Sequence, residues 1–303
     1  MRWLLAYGLV AVAILLLAHS ILATRQIAAT VKLDSPPLST NKKPDVHPQR
    51  LRIVVAPITL PVRGFAGYQA LANYLAVELK QQTEVIYRDT YAQVNAVISN
   101  DHADVGFICL GGYWADPSAM DLLAATVIKG KTEYSGLIIV PQNGPIFKFA
   151  DLRGRTFLFT DADSNTGHLY PLSLIRKITA QTDEFFSATK FTGGHDRSIQ
   201  AIAWGLADGA AVSSAAFDVT LAQEPTLGAR IRTIERSEPY PSPPVVVRKN
   251  FPTDDRQRLL KALTALPDTE RGKSILTGLG IDGFSAAIPD IYKQSEPQGR
   301  GGK

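Results

Sequence analysis

The sequence predicts an α/β protein of two lobes, and three observations carry that expectation. Short apolar runs of strand length alternate with segments of helical spacing. The alternation pauses near residue 140 and restarts at residue 156, and strand-like crossings near 138–141 and 236–245 join the two halves. Alternation of this kind builds mostly parallel sheets with helices on both faces. A chain that leaves one lobe and later returns to it makes a hinged clam, with a ligand cleft at the carboxyl ends of the strands.

The elements follow in order. Leu51 to Ala56 (LRIVVA) reads as a buried strand and Tyr68 to Gln81 as a helix with an apolar face. Glu84 to Tyr87 is a second strand and Tyr91 to Ser99 a helix, while Ala103 to Cys109 (ADVGFIC) is a strand running into Gly111-Gly112. After Leu137 to Val140 come a strand at Thr156 to Thr160, helices at Gly167 to Thr179 and Ser198 to Gly205, and a short strand at Ala210 to Val212. Ile231 to Ile234 and Val245 to Val247 flank a proline cluster, and the tail from Thr253 to Leu276 is helical with an interruption at Pro267. The expected lobes are 51–138 plus 242–303, and 139–241.

Ahead of the lobes, residues 1–24 are expected to be a signal peptide or membrane anchor. Trp3 to Ala23 is almost unbroken apolar sequence behind Arg2, long enough to span a bilayer, and Ala18-His19-Ser20 is a passable cleavage site. Residues 25–50, with Pro36, Pro37, Pro44 and Pro48 among polar residues, read as a disordered tether. The body is therefore expected outside the cytoplasm, in the periplasm. Net charge is +4, yet residues 51–292 hold 23 basic and 25 acidic side chains, so the basic excess belongs to the tails. That balance argues against a nucleic-acid-binding face.

Three segments can carry chemistry. Thr160 to His168 (TDADSNTGH) leaves a strand and opens a helix, where hydroxyls, an amide and free backbone N–H groups favour an oxyanion. The same residue types are ordinary turn and cap formers, and Asp161 with Asp163 lacks the remaining ligands of a calcium loop. Thr192 to Arg197 (TGGHDR) pairs two glycines with His195, a possible oxygen donor, and Arg197, which could balance an anion. Cys109 is the one cysteine, an unpaired thiol in an exported chain. It reads either as a small buried hydrophobe or as a soft ligand at the cleft edge. No GxSxG, HExxH or GxxxxGK[ST] motif is present, and an enzyme built on Cys109 and His195 would rest on residue types alone.

Taken in order, these segments resemble the phosphonate/phosphate-type periplasmic substrate-binding proteins of ABC transporters over roughly residues 51–270. The resemblance rests on Ala103 to Leu110, on Asp151 to Pro171 (DLRGRTFLFTDADSNTGHLYP), on Thr192 to Asp196, and on Ser237 to Lys249 (SEPYPSPPVVVRK). It implies the two-lobed type II binding-protein fold, no catalysis and no cofactor. It also implies oxygen-binding roles for Ser164, Asn165, Thr166 and His195. Where the family commonly keeps an acid for an ammonium group, this chain has Ala211-Val212-Ser213-Ser214, which disfavours an aminophosphonate. The cysteine at the cleft-facing strand end resembles an arsenite-sensing subgroup that reports to a membrane sensor histidine kinase controlling arsenite oxidation. Arsenite is nearly neutral at pH 7 and its arsenic is thiophilic, which suits a sulfur ligand without a ring of cations. The expected ligand set is Cys109, Asp161, Ser164, Asn165, Thr166 and His195, with Cys109 on arsenic. The alternative is a phosphate, phosphite or phosphonate-binding component that delivers to an ABC permease.

Overall fold

The computed structural model describes residues 50–56, 61–179, 181–182 and 184–295. The expected signal or anchor and, apart from Arg50, the expected tether lie outside the described residues. Among those described, no helix is long and apolar enough to cross a membrane.

The chain runs through β1 (Arg50–Val55), α1 (Pro61–Leu79), β2 (Gln82–Tyr87), α2 (Tyr91–Ser99), β3 (Val105–Phe107), α3 (Leu110–Ala115) and β4 (Met120–Val127). It crosses by β5 (Glu133–Tyr134) into β6 (Gly136–Pro141), β7 (Thr156–Phe159), α4 (Tyr170–Ile178), β8 (Ala188–Phe191), α5 (His195–Ala203), β9 (Gly209–Ser213), α6 (Ser214–Gln223) and β10 (Ile231–Arg236). It returns by β11 (Tyr240–Pro241) to β12 (Pro244–Arg248), α7 (Thr253–Thr264), α8 (Glu270–Leu279), β13 (Gly283–Ala286) and α9 (Pro289–Gln294).

Two sheets result, ordered β13-β4-β12-β3-β1-β2 and β10-β6-β9-β7-β8, with β5 and β11 paired as a separate antiparallel ribbon. Each sheet is mixed rather than mostly parallel. The strands β2-β1-β3 and β9-β7-β8 are parallel, but β12, β4 and β13 in the first sheet and β6 and β10 in the second pair antiparallel. The crossings explain this. β12 and β6 each enter their sheet from the other half of the molecule, at the carboxyl ends of the parallel strands, and so must run against them.

In the inner strands both faces of each sheet are buried, and the pleat decides which side chain goes where. On β1, Leu51, Ile53 and Val55 join the core under α1, α7 and α8, while Val54 joins the opposite core with Ile98, Cys109 and Trp114. On β6, Ile138 and Val140 face the phenylalanine-rich core of Phe149, Phe157 and Phe185, and Leu137 and Ile139 face α5. Strands buried on both faces lose alternation, which is why they read as continuous apolar runs. β8 is exposed at all four residues and carries no such signal. α1 starts at Pro61, earlier than the apolar spacing suggests, since proline is well tolerated in a first helical turn. The interruption at Pro267 is present as a 3₁₀ turn at Leu266–Asp268 between α7 and α8.

Candidate functional site

The site is built where strand ends meet. β3 runs out at Phe107, and Cys109 sits one residue before α3, in extended backbone as its cap residue. The thiol is buried, and burial pushes its pKa up, with the N–H groups of Asn165, Gly111 and Gly112 aimed at Sγ and partly offsetting this. One of those amides, from Asn165, comes from the half of the chain built on the second sheet. The approach is close: a Cβ on Gly111 would lie 2.0 Å from the Asp163 carbonyl oxygen. Only glycine lets the α3 backbone meet this loop.

That loop leaves β7 as Thr160-Asp161. Rather than starting the helix directly, Asn165–Leu169 forms a π-helical turn that precedes α4. Ser164 caps it, its Oγ accepting from Gly167 N–H at 3.0 Å. Gly167 lies flush on Thr160, where a Cβ would sit 1.8 Å from Thr160 Oγ1. Asn165 and Thr166 are fully buried, yet Asn165 Oδ1 and Thr166 Oγ1 have no hydrogen-bond partner in the protein, and neither has Thr160 Oγ1. Asn165 Nδ2 donates to the Tyr134 hydroxyl at 3.5 Å. Buried polar atoms are almost always satisfied, so such a concentration of orphans points to a partner that is not protein. Asp161 accepts from Asp163 N–H at 2.9 Å and from Tyr91 N–H, at the start of α2, at 3.1 Å. Burial still carries its pKa upward.

α5 begins at His195, three residues before the position expected from sequence, so the histidine itself forms the first helical turn. Its Nδ1 accepts from Ser213 N–H, at the end of β9, at 3.1 Å, which leaves the ring proton on Nε2 as a donor. Burial lowers its pKa to about 3, so the ring is neutral at physiological pH. Gly193, at φ +75°, supplies the backbone turn that delivers it. Arg197 is exposed and donates to the Thr192 carbonyl at 3.1 Å instead of reaching into this cluster.

The π turn packs between α3 and β9, which brings the thiol, the turn and the end of β9 that holds His195 into one neighbourhood. Tyr91 ties it together. Burial raises its hydroxyl's pKa well above the usual phenol value, and Cys109, Asp161, Tyr134 and Asp196 all lie near enough to push it the same way. Tyr91 and Tyr134 were not singled out from sequence, and Ser213 was noted only within Ala211-Val212-Ser213-Ser214 for the acid missing there. Tyr91 follows a strand end and the cap residue Thr90, whose Oγ1 accepts from Gln93 N–H, and that position is the one signal that marked it. None of the six expected ligand residues carries a basic side chain of the lysine or arginine kind. The cluster offers the neutral side chains of Ser164, Asn165, Thr166 and His195, one sulfur and the Asp161 carboxyl, which suits an uncharged oxyacid better than a multiply charged anion. Among the described residues, no group of three or more His, Cys, Asp or Glu side chains is placed to hold a metal ion.

A cavity of about 580 Å³ is lined by Tyr68, Phe107 and Phe284, by Ala215 and Val219 of α6, and by Asp196 and Ser213, but by none of the six expected ligand residues.

The sequence model of a family described as "ABC transporter, phosphonate, periplasmic substrate-binding protein" matches residues 53–292. Among solved structures, a binding protein component of an ABC phosphonate transporter from Pseudomonas aeruginosa aligns with a TM-score of 0.74 at 18% identity, over 80% of this chain and 83% of that one. PhnD1 from Prochlorococcus marinus (MIT 9301), in complex with methylphosphonate, also gives 0.74, at 16% identity over 82% and 96%. A histidine kinase sensor domain with similarity to periplasmic binding proteins gives 0.51, at 14% identity over 77% and 96%.

Proposed function

The chain belongs to the phosphonate-type periplasmic substrate-binding proteins of ABC transporters, and from that membership we propose that it is a receptor for arsenite that works without catalysis. The observation that carries this reading is the placement of Cys109. Its thiol receives the backbone N–H of Asn165 from the other side of the junction, and Asn165 Oδ1 and the Oγ1 of the adjoining Thr166 are buried without a protein partner. A phosphorus oxyanion has no use for a thiol, whereas trivalent arsenic bonds sulfur readily.

In this mechanism As(OH)₃ meets Cys109 while the lobes are apart. An As–S bond forms and one As–O bond breaks, and the thiol proton leaves with that hydroxide as water. The thiol reacts more readily in the parted form, because burial raises its pKa and the Gly111 and Gly112 amides belong to its own lobe. Closure then surrounds the remaining hydroxyls with Ser164, Asn165, Thr166 and the Nε2–H of His195, while Asp161 joins the loop to α2. Ligand favours closure only by contacts made in the closed form, and the thiol and the turn come from opposite lobes. The closed face is read by the periplasmic domain of a membrane sensor histidine kinase, and an N-terminal signal exports the protein or holds it at the inner membrane.

A second reading is supported by the family match: the same donors could serve phosphate, phosphite or a phosphonate delivered to an ABC permease, with Cys109 as packing. Calorimetric titration of the reduced protein with arsenite, phosphate, phosphite and methylphosphonate separates the two. Arsenite binding that disappears in Cys109→Ser supports the receptor; unchanged arsenite affinity in that variant removes the thiol from the site.

A further inference from the structure

The first turn of α6 is tied both to the crossing between the sheets and to the histidine of the cluster. Ser214 Oγ accepts from Ser135 N–H at 2.9 Å, Ser214 N–H donates back to the Ser135 carbonyl at 2.8 Å, and the neighbouring Ser213 N–H donates to His195. Ser135 lies between β5 and β6, where the chain enters the second sheet. Further along, Ala216, Val219 and Gln223, three and four residues apart, put one face of α6 on the cavity that Tyr68, Phe107 and Phe284 line from the first lobe. Beside that cavity α6 touches the first lobe. A Cβ on Gly280, which caps the C-terminus of α8, would lie 2.7 Å from Val219 Cγ2, and Lys129 Nζ donates to Asp218 Oδ2 at 2.8 Å.

The lysine is presented by a tight turn. Ile128 and Lys131 pair as a β-bridge around Lys129 and Gly130, which sit at φ +51° and +71°, and the Asp282 carboxylate accepts from Gly130 N–H at 2.7 Å. Turns of this kind favour Asn, Asp or Gly at the first position, and a lysine there carries backbone strain, so its side chain rather than its backbone accounts for it. We propose that α6 is a closure lever and that Lys129, Asp218 and Val219 are positioning residues, which set ligand affinity by holding the lobes together and touch no ligand themselves. This role rests on the lobe closure proposed above, whichever oxyacid is bound. None of the six expected ligand residues takes part in the contact, so its charges can be changed without altering the site. The side chains of Lys129 and Asp218 are 70% and 38% exposed, which makes the pair a modest bias and not a lock. A modest bias still reaches the ligand, because apparent affinity scales with the fraction of molecules in the binding-competent state.

The test reverses the two charges singly and together in the reduced protein at low ionic strength. Calorimetry measures affinity for arsenite, phosphate, phosphite and methylphosphonate, and energy transfer between labels on the two lobes measures closure with and without them. Asp218→Lys and Lys129→Asp should each weaken whichever probe binds about fivefold and lower the closed fraction, while the double variant should return to within about twofold of wild type. The loss should shrink in about 1 M salt, which screens an exposed pair but does not repair a packing defect. Val219→Ala, which removes the uncharged part of the contact, should lower the closed fraction without that salt dependence. Single reversals that leave affinity and closed fraction unchanged, or a double variant no better than either single one, would overturn the proposal. If a phosphorus oxyanion binds and arsenite does not, the thiol reading falls and the charge swap reads closure on that ligand. If no probe binds, the receptor reading falls, and the ligand-free closed fraction decides on the same pattern of loss and rescue.

Discussion

Asp104 and Asp161 are the same side chain, each more than nine-tenths buried, and the molecule treats them oppositely. At the outer end of the first sheet, burial alone would raise the pKa of Asp104. Arg52 prevents this with its Nε at 3.0 Å, a guanidinium N–H at 2.9 Å and its backbone N–H at 2.9 Å, and Arg248 adds its Nε at 3.0 Å, so the carboxyl is held below the usual range. At the junction, burial wins: the Asp161 carboxyl has backbone amides for partners and its pKa is raised. The first aspartate is tied wholly within one lobe by charge. The second is tied by two neutral donors, one from its own loop and one from α2, and in the proposed mechanism the latter contact is lost when the lobes part. The difference separates what holds the fold from what can move.

The largest effect follows from breaking the charged cluster. Asp104→Ala leaves two arginines without their carboxylate and should cost about 3 kcal/mol, the low end for a broken buried pair, because both guanidinium groups keep some water contact. A urea melt measures it, and ligand affinity of the folded variant should stay unchanged. The wild-type contribution is present above the ordinary carboxylate pKa and is lost as pH falls through the depressed value.

His195 should come next, and only below neutral pH. Its folded pKa of about 3 lies under the ordinary value of 6.5, so from pH 6.5 downward the unfolded chain takes up a proton that the folded one refuses. Stability therefore falls by about 1.4 kcal/mol per pH unit over that window, about 2 kcal/mol at pH 5. Melts of wild type and His195→Gln at pH 7 and pH 5 should show this slope in the first and not in the second. A slope equal in both proteins would mean that the ring is not sealed as described.

Gly111→Ala tests the closeness of the junction itself. The added methyl meets the Asp163 carbonyl only when the lobes are together, so the melting temperature without ligand should barely move while affinity drops about tenfold. Small-angle scattering should show that the liganded variant is more open than wild type.

These three residues also show what the sequence discloses and what it withholds. β1, β3, β6 and β12 were legible because buried strands read as apolar runs, and the break at Pro267 because proline lacks an N–H, whereas β4, β8, β13 and the helix α6 were not read. The mixed direction of the sheets was not, since the same VVV run suits a parallel or an antiparallel strand; the crossing decides it. Ser164 and His195 stood out as residue types in loops ahead of helices. Tyr91 did not, because what places it near Cys109 and Asp161 is packing between segments some 20 to 70 residues apart. The fit of Gly111 against Asp163 was likewise invisible, being a property of two surfaces and not of a spacing.

The smallest effect is the one that most sharpens the comparison. Asp161→Asn keeps one acceptor oxygen but replaces the other with a donor that faces the N–H of Tyr91 or Asp163, for a loss of about 1 kcal/mol in the closed form. Its pH dependence runs opposite to those of Asp104 and His195. A carboxyl whose pKa is raised on closure binds a proton more readily when closed, so closure is favoured below the ordinary carboxylate pKa and loses that advantage as pH rises through the raised value. Asp163 pushes the pKa further up and His168 draws it down, so neither neighbour's ordinary charge reverses the sign that burial sets. The closed fraction, followed by energy transfer between labels on the two lobes from pH 4 to 7, should fall with rising pH in wild type relative to Asp161→Asn. A difference of the opposite sign would mean that the amides of Tyr91 and Asp163 outweigh burial, and that this carboxylate, like Asp104, is locked by its partners.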